Sequence, residues 1–321
     1  LTGIYRGDPI PEGLVDAVKM GTTVATNALL ERQGERTVLI ITKGFADALR
    51  IGYQNRPKLF ERHIRLPEML YEQVIEIDER LTAQGDVLQA PDAETVRAQL
   101  SAAHNNGIHS AAIVFMHGYR FPAHEDLIAE IARDVGFTQV SVSNRVSPLM
   151  KLVSRGDTTV VDAYLSPILR RYIDGVADEL GDARLMFMQS NGGLADARVF
   201  RGKDSILSGP AGGVVGAVRT SAQAGVEKLI GFDMGGTSTD VSLIRDGKPT
   251  ISRQTSLGYY PIKIPSVEVH SVGAGGGSIA HVPMTGALRV DPESAGAVPG
   301  PACYGKGGDQ PTVTDANVVL G

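Results

Sequence analysis

The sequence predicts an α/β fold, because short apolar strands alternate with amphipathic helices along its first half. Arg36–Thr42, Ala111–Phe115 and Gln139–Ser143 are runs of strand length that are rich in apolar or β-branched residues. Ala93–His104 and Glu125–Asp134 lie between these runs and carry apolar residues at helical spacing. This alternation indicates βαβ units.

Local signals set the boundaries of these elements. Asp92 is expected to cap the helix that follows it, and Gly107 to end that helix. Ser166-Pro167 predicts the start of a further helix, because serine is a favoured cap and proline is tolerated in a first helical turn. Gly181 is expected to end this helix, so we place one domain over residues 1–181 and a second over residues 182–321.

The second half changes character. Arg184–Gln189 predicts a strand. Leu229–Asp233 and Ser238–Ile244 predict two strands joined by a glycine turn, and Asp246-Gly247 predicts a hairpin turn into a third. Residues 273–308 are rich in Gly and Pro and predict little regular structure.

Composition narrows the class of protein. Of the 321 residues, 42% are hydrophobic and 21% are charged, which is typical of folded domains rather than of disorder. The apolar runs are far too short to span a membrane. A net charge of −5 argues against a nucleic-acid-binding protein, and a single cysteine, Cys303, argues against a Cys-rich zinc site. A cytoplasmic protein fits these features best.

The segment from Gly231 to Ile244 carries the strongest chemical signal. A short apolar strand ends at Asp233, and Gly235 and Gly236 follow it. We expect these glycines to form a turn that a residue with a Cβ would strain, and to let an anion approach their amides closely. The alternative is a hairpin that uses the Gly-Gly pair only for its geometry. The segment has neither a Walker A lysine nor a dinucleotide fingerprint.

Hydroxyls and a second carboxylate complete this motif. Thr237, Ser238 and Thr239 supply hydroxyl donors suited to phosphate oxygens. Ionised Asp233 and Asp240 accept hydrogen bonds but cannot donate them, so beside phosphates we expect them to hold Mg²⁺, directly or through water.

The segment Asp233–Asp240 resembles the phosphate loop of the actin/Hsp70/sugar-kinase superfamily, in which a nucleotide lies in a cleft between two similar lobes. Five further segments resemble the hydantoinase A/5-oxoprolinase family and extend the resemblance over essentially the whole chain: Met20–Arg32, Ile51–Pro57, Ser208–Gly213, His270–Ser278 and Pro299–Gly305. In that family a first phosphate loop would precede Leu1, and the A polypeptide continues past Gly321. The resemblance therefore implies an actin-like (ribonuclease H-like) two-lobe ATPase fold that is incomplete at both ends.

The resemblance also implies an enzyme that uses ATP and Mg²⁺ to open a cyclic amide, such as hydantoin, N-methylhydantoin or 5-oxoproline, by phosphorylating its carbonyl oxygen. It implies a hydantoinase B-type subunit, separate or fused, and an oligomeric assembly; neither nucleic acid nor membrane is expected as a partner. Ile51–Pro57 and Arg65–Tyr71 favour bacterial hydantoinase A chains over 5-oxoprolinases. Two alternatives stay open, a subunit of an ATP-dependent ketone carboxylase of the same family and a non-catalytic ATP switch like actin or Hsp70.

Three other segments are candidates for the nucleotide or substrate site, and each has a plain structural alternative as a helix cap, an Asn-Gly turn or a flexible loop. Their candidate residues are Thr22, Thr23 and Asn27; Asn191, Gly192 and Gly193; and Gly275, Gly276 and Gly277. His270 precedes the glycine-rich loop and is assigned a catalytic role, with a structural histidine as the alternative. Cys303 has no base at a readable spacing, so we do not expect it to be a nucleophile.

Overall fold

The computed structural model describes residues 13, 15–54, 60–64, 66–180, 183–257, 260–284 and 286–321. The chain divides into two compact units: unit 1 comprises Leu1–Ala211 and Ser252–Ser266, and unit 2 comprises Gly212–Ile251 and Val267–Gly321. The domain boundary inferred from the sequence at residue 181 lies within unit 1 and stays a prediction. Gly181 itself, and parts of Ile51–Pro57 and Arg65–Tyr71, lie outside the described residues.

The strands of the described ranges are short and are numbered in chain order. They are β1 (Ala17–Met20), β2 (Thr37–Thr42), β3 (Gln73–Ile77), β4 (Arg80–Leu81), β5 (Val87–Gln89), β6 (Ser110–Val114), β7 (Gln139–Val142), β8 (Arg184–Met188), β9 (Leu194–Asp196), β10 (Leu229–Met234), β11 (Thr239–Arg245), β12 (Lys248–Pro249), β13 (Ile251–Ser252), β14 (Thr255–Leu257), β15 (Tyr260–Ile262), β16 (Ser266–Val267), β17 (Val269–Val272), β18 (Ser278–His281) and β19 (Arg289–Ser294).

The α-helices in the same ranges are α1 (Val24–Leu30), α2 (Ala48–Ile51), α3 (Ala93–Asn105), α4 (Ala123–Val135), α5 (Ser143–Val146), α6 (Leu152–Leu180), α7 (Ser208–Gln223) and α8 (Val313–Leu320). Short 3₁₀ turns occupy Ala197–Val199, Gly202–Ser205 and Ala302–Tyr304. Across the described ranges, no helix has the length and apolar character needed to cross a membrane.

A four-stranded parallel sheet with the order β3–β2–β6–β7 forms the centre of unit 1. Every residue of β2 is buried, as expected for a strand covered on both faces. α3 and α4 pack on the face that carries Val38 and Ile40, and α1 and α6 pack on the face that carries Leu39 and Ile41. The strands and helices predicted between residues 36 and 143 are confirmed to within two residues, and Asp92 caps α3 by accepting a hydrogen bond from Thr95 N.

The helix predicted to begin at Ser166-Pro167 is wrong at its start, because α6 runs from Leu152 to Leu180 with Pro167 inside it. Proline has no N–H to donate to the carbonyl four residues earlier, which here belongs to Ala163. The Ser110 hydroxyl of β6 donates to that carbonyl at 2.7 Å instead. The acceptor is thus satisfied from a neighbouring strand, a contact that capping rules do not consider.

The second half of α6 packs on a smaller sheet of unit 1. β1 runs parallel to β8, and β9 pairs antiparallel with β8. Leu169 and Ile173 of α6 share an apolar cluster with Leu185, Phe187 and Phe200. One long helix therefore serves the cores of both sheets.

Unit 2 contains a mostly antiparallel hairpin sheet. β11 pairs with β10 along one edge, and with β12 and β17 in succession along the other. The face that carries Ile230, Phe232 and Met234 is exposed among the described residues. β18 and β19 form a further antiparallel pair, so the expectation of little regular structure over residues 273–308 is wrong. That pair is short and its register shifts at Ser278, which hides the period of two that would reveal it.

Candidate functional site

The β10–β11 hairpin places two carboxylates side by side. Asp233 lies directly opposite Asp240 in the antiparallel register. Side chains of directly opposite residues project from the same face of a sheet, with their Cβ atoms about 4.5–5.5 Å apart. The helix α7 passes close by, since a Cβ built on Gly213 would lie 3.7 Å from Asp233 Oδ2.

Asp233, Asp240 and Ser271 form a row of polar side chains across three neighbouring strands, with Ser271 on β17. Ser271 lies opposite Asp240 in the β11–β17 pairing, and its Oγ donates to Asp240 Oδ1 at 2.5 Å. A hydrogen bond to a carboxylate is among the stronger ones in proteins, so it orients Asp240. Asp233 is exposed, and its side chain has no hydrogen-bond or ion-pair partner among the described residues. The row therefore presents one oriented carboxylate and one that is free to take a ligand.

His270 lies on the other face of the same sheet. It is paired with Val241, and because successive side chains of a strand alternate between faces, it projects away from Asp233 and Asp240. Its assigned catalytic role finds no support in this geometry and stays a prediction. Sequence reasoning misses Ser271, because nothing but the pairing register distinguishes it from its neighbour.

The tip of the hairpin presents hydrogen-bond donors. Gly235 N donates to Ser238 O at 2.8 Å and closes the turn. The amides of Gly236, Thr237 and Ser238 donate to no other residue that the structure describes, and the hydroxyls of Thr237 and Ser238 are likewise without partners there. All of these residues are exposed. Free amides at a turn, with hydroxyls beside them, are suited to bind an anion.

The two glycines of this turn are not required by its backbone conformation. Neither Gly235 nor Gly236 has a positive φ. A Cβ at Gly236 would meet no atom within 4 Å. The strain expected at these positions from the sequence is therefore wrong. Because glycine has no side chain, the space next to the free amides stays open. We therefore expect the two glycines to allow a ligand to approach these amides rather than to stabilise the fold.

The glycine-rich loop packs directly against this turn. Gly276 N donates to Gly235 O at 2.9 Å, and Gly277 N donates to Gly236 O at 2.7 Å. A Cβ at Gly275 would lie 2.6 Å from the backbone of Gly236, so only glycine fits there. These amides are already engaged, so the contacts support a structural role for the loop, and the cofactor-binding role assigned to Gly275, Gly276 and Gly277 stays a prediction.

Two threonines hold the loop in place. Thr239 Oγ1 donates to Ala274 O at 2.5 Å. Thr314, in the first turn of α8, donates to Gly276 O from both its amide and its hydroxyl, each at 2.8 Å. Gly275 N is also occupied, by Ser278 Oγ at 2.9 Å. The hairpin tip is therefore backed by hydrogen bonds that reach from β11 to α8.

Thr22, Thr23 and Asn27 lie in unit 1, where β1 leads into α1. Thr22 is buried; its amide donates to Ser208 Oγ at 3.1 Å, and its hydroxyl accepts from Val24 N at 3.2 Å. Thr23 and Asn27 are exposed, and neither side chain has a partner in the described ranges. Thr22 therefore docks this segment on the start of α7, while ligand contacts of Thr23 and Asn27 stay a prediction.

Asn191, Gly192 and Gly193 form a tight turn between β8 and β9. Gly192 N donates to Gln189 O at 2.9 Å, and Gln189 N donates to Gly193 O at 2.7 Å. Asn191 Oδ1 accepts from Gly193 N at 2.7 Å, and Gly192 has a φ of +83° that favours glycine. Since both glycine amides are used within the turn, the contacts support its structural alternative, and a binding role stays a prediction.

Asp233 and Asp240 are the donors available to a divalent cation at the hairpin. Mg²⁺ is usually held by one or two carboxylates together with phosphate oxygens and water. Over the described part of the chain, no group of three or more His, Cys, Asp or Glu side chains is placed to hold a metal. A carboxylate pair beside a turn with free amides would fit a cation that arrives with a nucleotide.

Sequence comparisons show which family this chain is similar to. The model of the Hydantoinase/oxoprolinase family matches residues 155–321, and that of the Hydantoinase/oxoprolinase N-terminal region matches residues 4–136. The 5-oxoprolinase of Saccharomyces cerevisiae is 44% identical over 349 residues, which cover 99% of this chain and 27% of that protein. Caprolactamase subunit alpha of Pseudomonas jessenii is 38% identical, over 94% of this chain and 45% of that subunit.

Two solved structures share the fold. The crystal structure of the ATP-dependent caprolactamase of Pseudomonas jessenii superposes with a TM-score of 0.80 at 36% identity, over 95% of this chain and 46% of that chain. The nucleotide-free structure of acetone carboxylase superposes with a TM-score of 0.74 at 25% identity, over the same shares of the two chains. The chain thus spans between about a quarter and a half of the length of these relatives.

The fold defines an α/β protein of the actin-like class, with the β10–β11 hairpin in unit 2. Within that class, the chain belongs to the hydantoinase/oxoprolinase family. The fold class and the family predicted from the sequence are therefore confirmed.

Proposed function

We propose that the full-length protein carrying this sequence uses ATP to hydrolyse a cyclic amide to a ring-opened amino acid. The observation that carries the proposal is the row formed by Asp233, Asp240 and Ser271 beside a hairpin tip with free amides. This arrangement suits the phosphates of a nucleotide with its cation. Relatives named 5-oxoprolinase and caprolactamase support the choice of a cyclic amide.

The chemistry explains the need for ATP. The carbonyl of an amide is a poor electrophile because nitrogen donates electrons into it, and opening an unstrained ring relieves no strain. Transfer of the γ-phosphoryl group to the carbonyl oxygen releases ADP and activates the carbon. Water adds to that carbon, the C–N bond breaks with its electron pair and a proton going to nitrogen, and an acyl phosphate remains. A second water at the same carbon releases phosphate and leaves the carboxylate.

The residues of unit 2 have distinct parts in this scheme. The amides of Gly236, Thr237 and Ser238 donate to phosphate oxygens and hold them in line for transfer. Asp233 and Asp240 would hold Mg²⁺, which neutralises charge on the phosphates when it is bound. Ser271 keeps Asp240 in one orientation. The loop from Gly275 to Gly277 fixes the tip through backbone contacts.

Hydantoin, N-methylhydantoin and 5-oxoproline are the proposed substrates. The identities reported above are higher to a 5-oxoprolinase than to the caprolactamase subunit. They do not support the preference for hydantoinase A chains that two sequence segments suggested.

A carboxylase that uses ATP and bicarbonate on a ketone is the second candidate, favoured by the likeness to acetone carboxylase. The higher identity to the caprolactamase structure, 36% against 25%, supports the cyclic amide as the first candidate.

Partners and location form part of the proposal. The relative named caprolactamase subunit alpha supports a second, B-type subunit, which could be a separate chain or a fused half. We propose a cytoplasmic, oligomeric enzyme, in keeping with the single cysteine of the sequence.

A product assay tests the proposal. The full-length protein, with its B-type partner, is incubated with Mg²⁺ and ATP and with each of the three cyclic amides or with acetone, with and without bicarbonate. We expect amide-dependent release of phosphate and of the ring-opened acid without any need for bicarbonate. If only acetone were turned over, and only with bicarbonate, the protein would be a ketone carboxylase. If none of the substrates changed the rate of ATP hydrolysis, the protein would be an ATP switch.

A further inference from the structure

Unit 1 contains a cavity of about 700 Å³ that lies along the edge strand β7. Its walls come from β7, from the ends of α4 and α5, from the middle of α6 and from the segment that follows β9. Six arginines line it: Arg133, Arg145, Arg170, Arg171, Arg198 and Arg201. The only acidic residue among its lining residues is Asp162, and this carboxyl is buried.

Three of the arginines have acidic partners outside the cavity. Arg145 pairs with Asp126 at 2.7 Å, and Arg198 pairs with Asp196 at 2.9 Å. Arg171 forms the third pair, with Glu35 at 3.1 Å. The guanidinium groups of these pairs are exposed while their carboxylate partners are partly buried, and each guanidinium keeps further N–H donors that a ligand with several negative charges can engage.

The other three arginines form no ion pair with an acidic side chain among the described residues, although the charge of Arg201 interacts with the buried carboxyl of Asp162. Arg170 donates to the carbonyls of Ala197 and Arg198, at 3.1 and 3.2 Å. Arg201 donates to the carbonyl of Arg145 at 3.2 Å, and Arg133 makes no side-chain hydrogen bond within the described ranges. A guanidinium has five N–H donors. These contacts therefore position Arg170 and Arg201 while leaving most of their donors, and all of those of Arg133, for a ligand.

Asp162 does not cancel this charge. Its carboxylate accepts hydrogen bonds from Ser141 Oγ at 2.8 Å, and from Ser166 Oγ and Lys203 N at 3.3 Å each. Burial also raises the pKa of this carboxyl, which favours its neutral form. The cavity thus keeps an excess of positive charge at its surface.

We propose that this cavity is a binding site for a small anion that carries two or more phosphate or carboxylate groups, distinct from the phosphate-loop hairpin of unit 2. Its volume is in the range of small-molecule sites, and too small for a folded partner or a duplex. The planar fork of arginine matches phosphate and carboxylate oxygens two at a time. The inference rests on unit 1 alone and does not depend on the proposed function.

Calorimetry on the full-length protein tests the site, with tripolyphosphate and citrate as the two probes. Because tripolyphosphate also suits the phosphate loop, the titrations use a Gly236→Val background, in which that loop is expected to be blocked. We expect saturable binding of at least one probe, weakened when NaCl is raised. Binding of tripolyphosphate alone assigns a phosphate ligand, and binding of citrate alone assigns a carboxylate ligand.

The variant Arg133→Glu/Arg201→Glu is expected to weaken binding at least about tenfold, because both side chains are exposed donors of the cavity. The matched control is Arg50→Glu, an exposed arginine that does not line the cavity, and it should stay within about twofold of its parent. Arg133→Lys/Arg201→Lys keeps the positive charges but removes the planar guanidinium groups. Its loss of binding should lie between that of the glutamate pair and that of the control. Melting temperatures establish that each variant is folded.

Three results would overturn the proposal: no saturable binding of either probe, binding indifferent to both the glutamate and the lysine pairs, or equal weakening by the Arg50→Glu control. Loss of cyclic-amide turnover is not a readout here. A failure of this site and a failure of the proposed enzyme activity would therefore be told apart.

Discussion

Asp233 and Asp240 lie directly opposite each other across the β10–β11 hairpin, and Ser271 donates to the second of them from the adjoining strand. Two like charges at this spacing repel each other, and no basic side chain among the described residues forms an ion pair with either. A bound cation would relieve this repulsion, so we propose that the pair serves to bind a ligand rather than to stabilise the fold.

Replacing Asp233 by Asn tests the free member of the pair. We expect ATP turnover by the full-length enzyme to fall about a hundredfold or more, because an amide is a poor Mg²⁺ ligand, while the exposed position leaves the fold intact. The control is Asp246→Asn in the β11–β12 turn, where φ is +52° and asparagine is tolerated. Turnover within about twofold of the unmodified enzyme at saturating Mg²⁺ would remove Asp233 from the mechanism.

Substitutions at two glycines distinguish a role in ligand access, expected for Gly236, from a role in backbone packing, expected for Gly275. Gly236→Val should abolish ATP binding without lowering the melting temperature, since a Cβ there meets open space beside free amides. Gly275→Ala should lower the melting temperature, because its Cβ would lie 2.6 Å from the backbone of Gly236. Calorimetry and thermal unfolding of both variants give the comparison. Unchanged ATP affinity in Gly236→Val would contradict the phosphate-loop assignment.

Ser271 is a positioning residue, and we expect its removal to weaken the binding of Mg²⁺ by the enzyme. In Ser271→Ala we expect the Mg²⁺ concentration for half-maximal activity to rise several-fold, with a smaller loss at saturating Mg²⁺, because Asp240 loses the hydrogen bond that orients it. Ser271→Thr keeps a hydroxyl and should restore most of the Mg²⁺ affinity. Ser256→Ala, at an exposed site on β14, serves as the control. An equal loss in the alanine and threonine variants would argue for a packing role instead.

Asp157 of α6 predicts a pH dependence of stability. Burial raises the pKa of its carboxyl to about 7, above its unfolded value near 4. Between these two values the folded state holds a proton that the unfolded chain has lost, so the stabilising contribution is present below about pH 4 and lost as the pH rises towards 7. Asp157→Asn should therefore raise the melting temperature by a few degrees at pH 8 and have little effect at pH 4.

The exposed Asp178 of the same helix provides the matched control for this experiment. Asp178→Asn should shift the melting temperature equally at both pH values. If Asp157→Asn gave no larger gain at pH 8 than at pH 4, burial of this carboxyl would not be the cause of any pH dependence observed.

Much of the architecture is predictable from the sequence because its causes are local. The β-branched run Arg36–Thr42 predicts a buried strand, and the spacing of apolar residues in Ala93–His104 predicts one face of a helix. The chain's family likewise follows from local motifs such as Met20–Arg32 and Ser208–Gly213. In each case a few neighbouring residues carry the information.

The parts that escape prediction depend on partners distant in sequence. Pro167 lies inside a helix because Ser110, on another element, satisfies the carbonyl it leaves free. The face on which a strand residue lies depends on register, which puts Ser271 and not His270 beside Asp240. The glycine-rich loop looks like a phosphate cradle in sequence, but the amides of Gly276 and Gly277 are taken by the neighbouring turn.

Carbonyl phosphorylation is the central claim, and an oxygen-isotope experiment tests it most directly. The full-length enzyme with its B-type partner is given ATP and 5-oxoproline whose ring amide carbonyl carries ¹⁸O. If the γ-phosphoryl group moves to that oxygen and water then attacks carbon, the released phosphate should contain one ¹⁸O atom for each ring opened. Phosphate without label, with all of the ¹⁸O kept in the product carboxylate, would contradict the account.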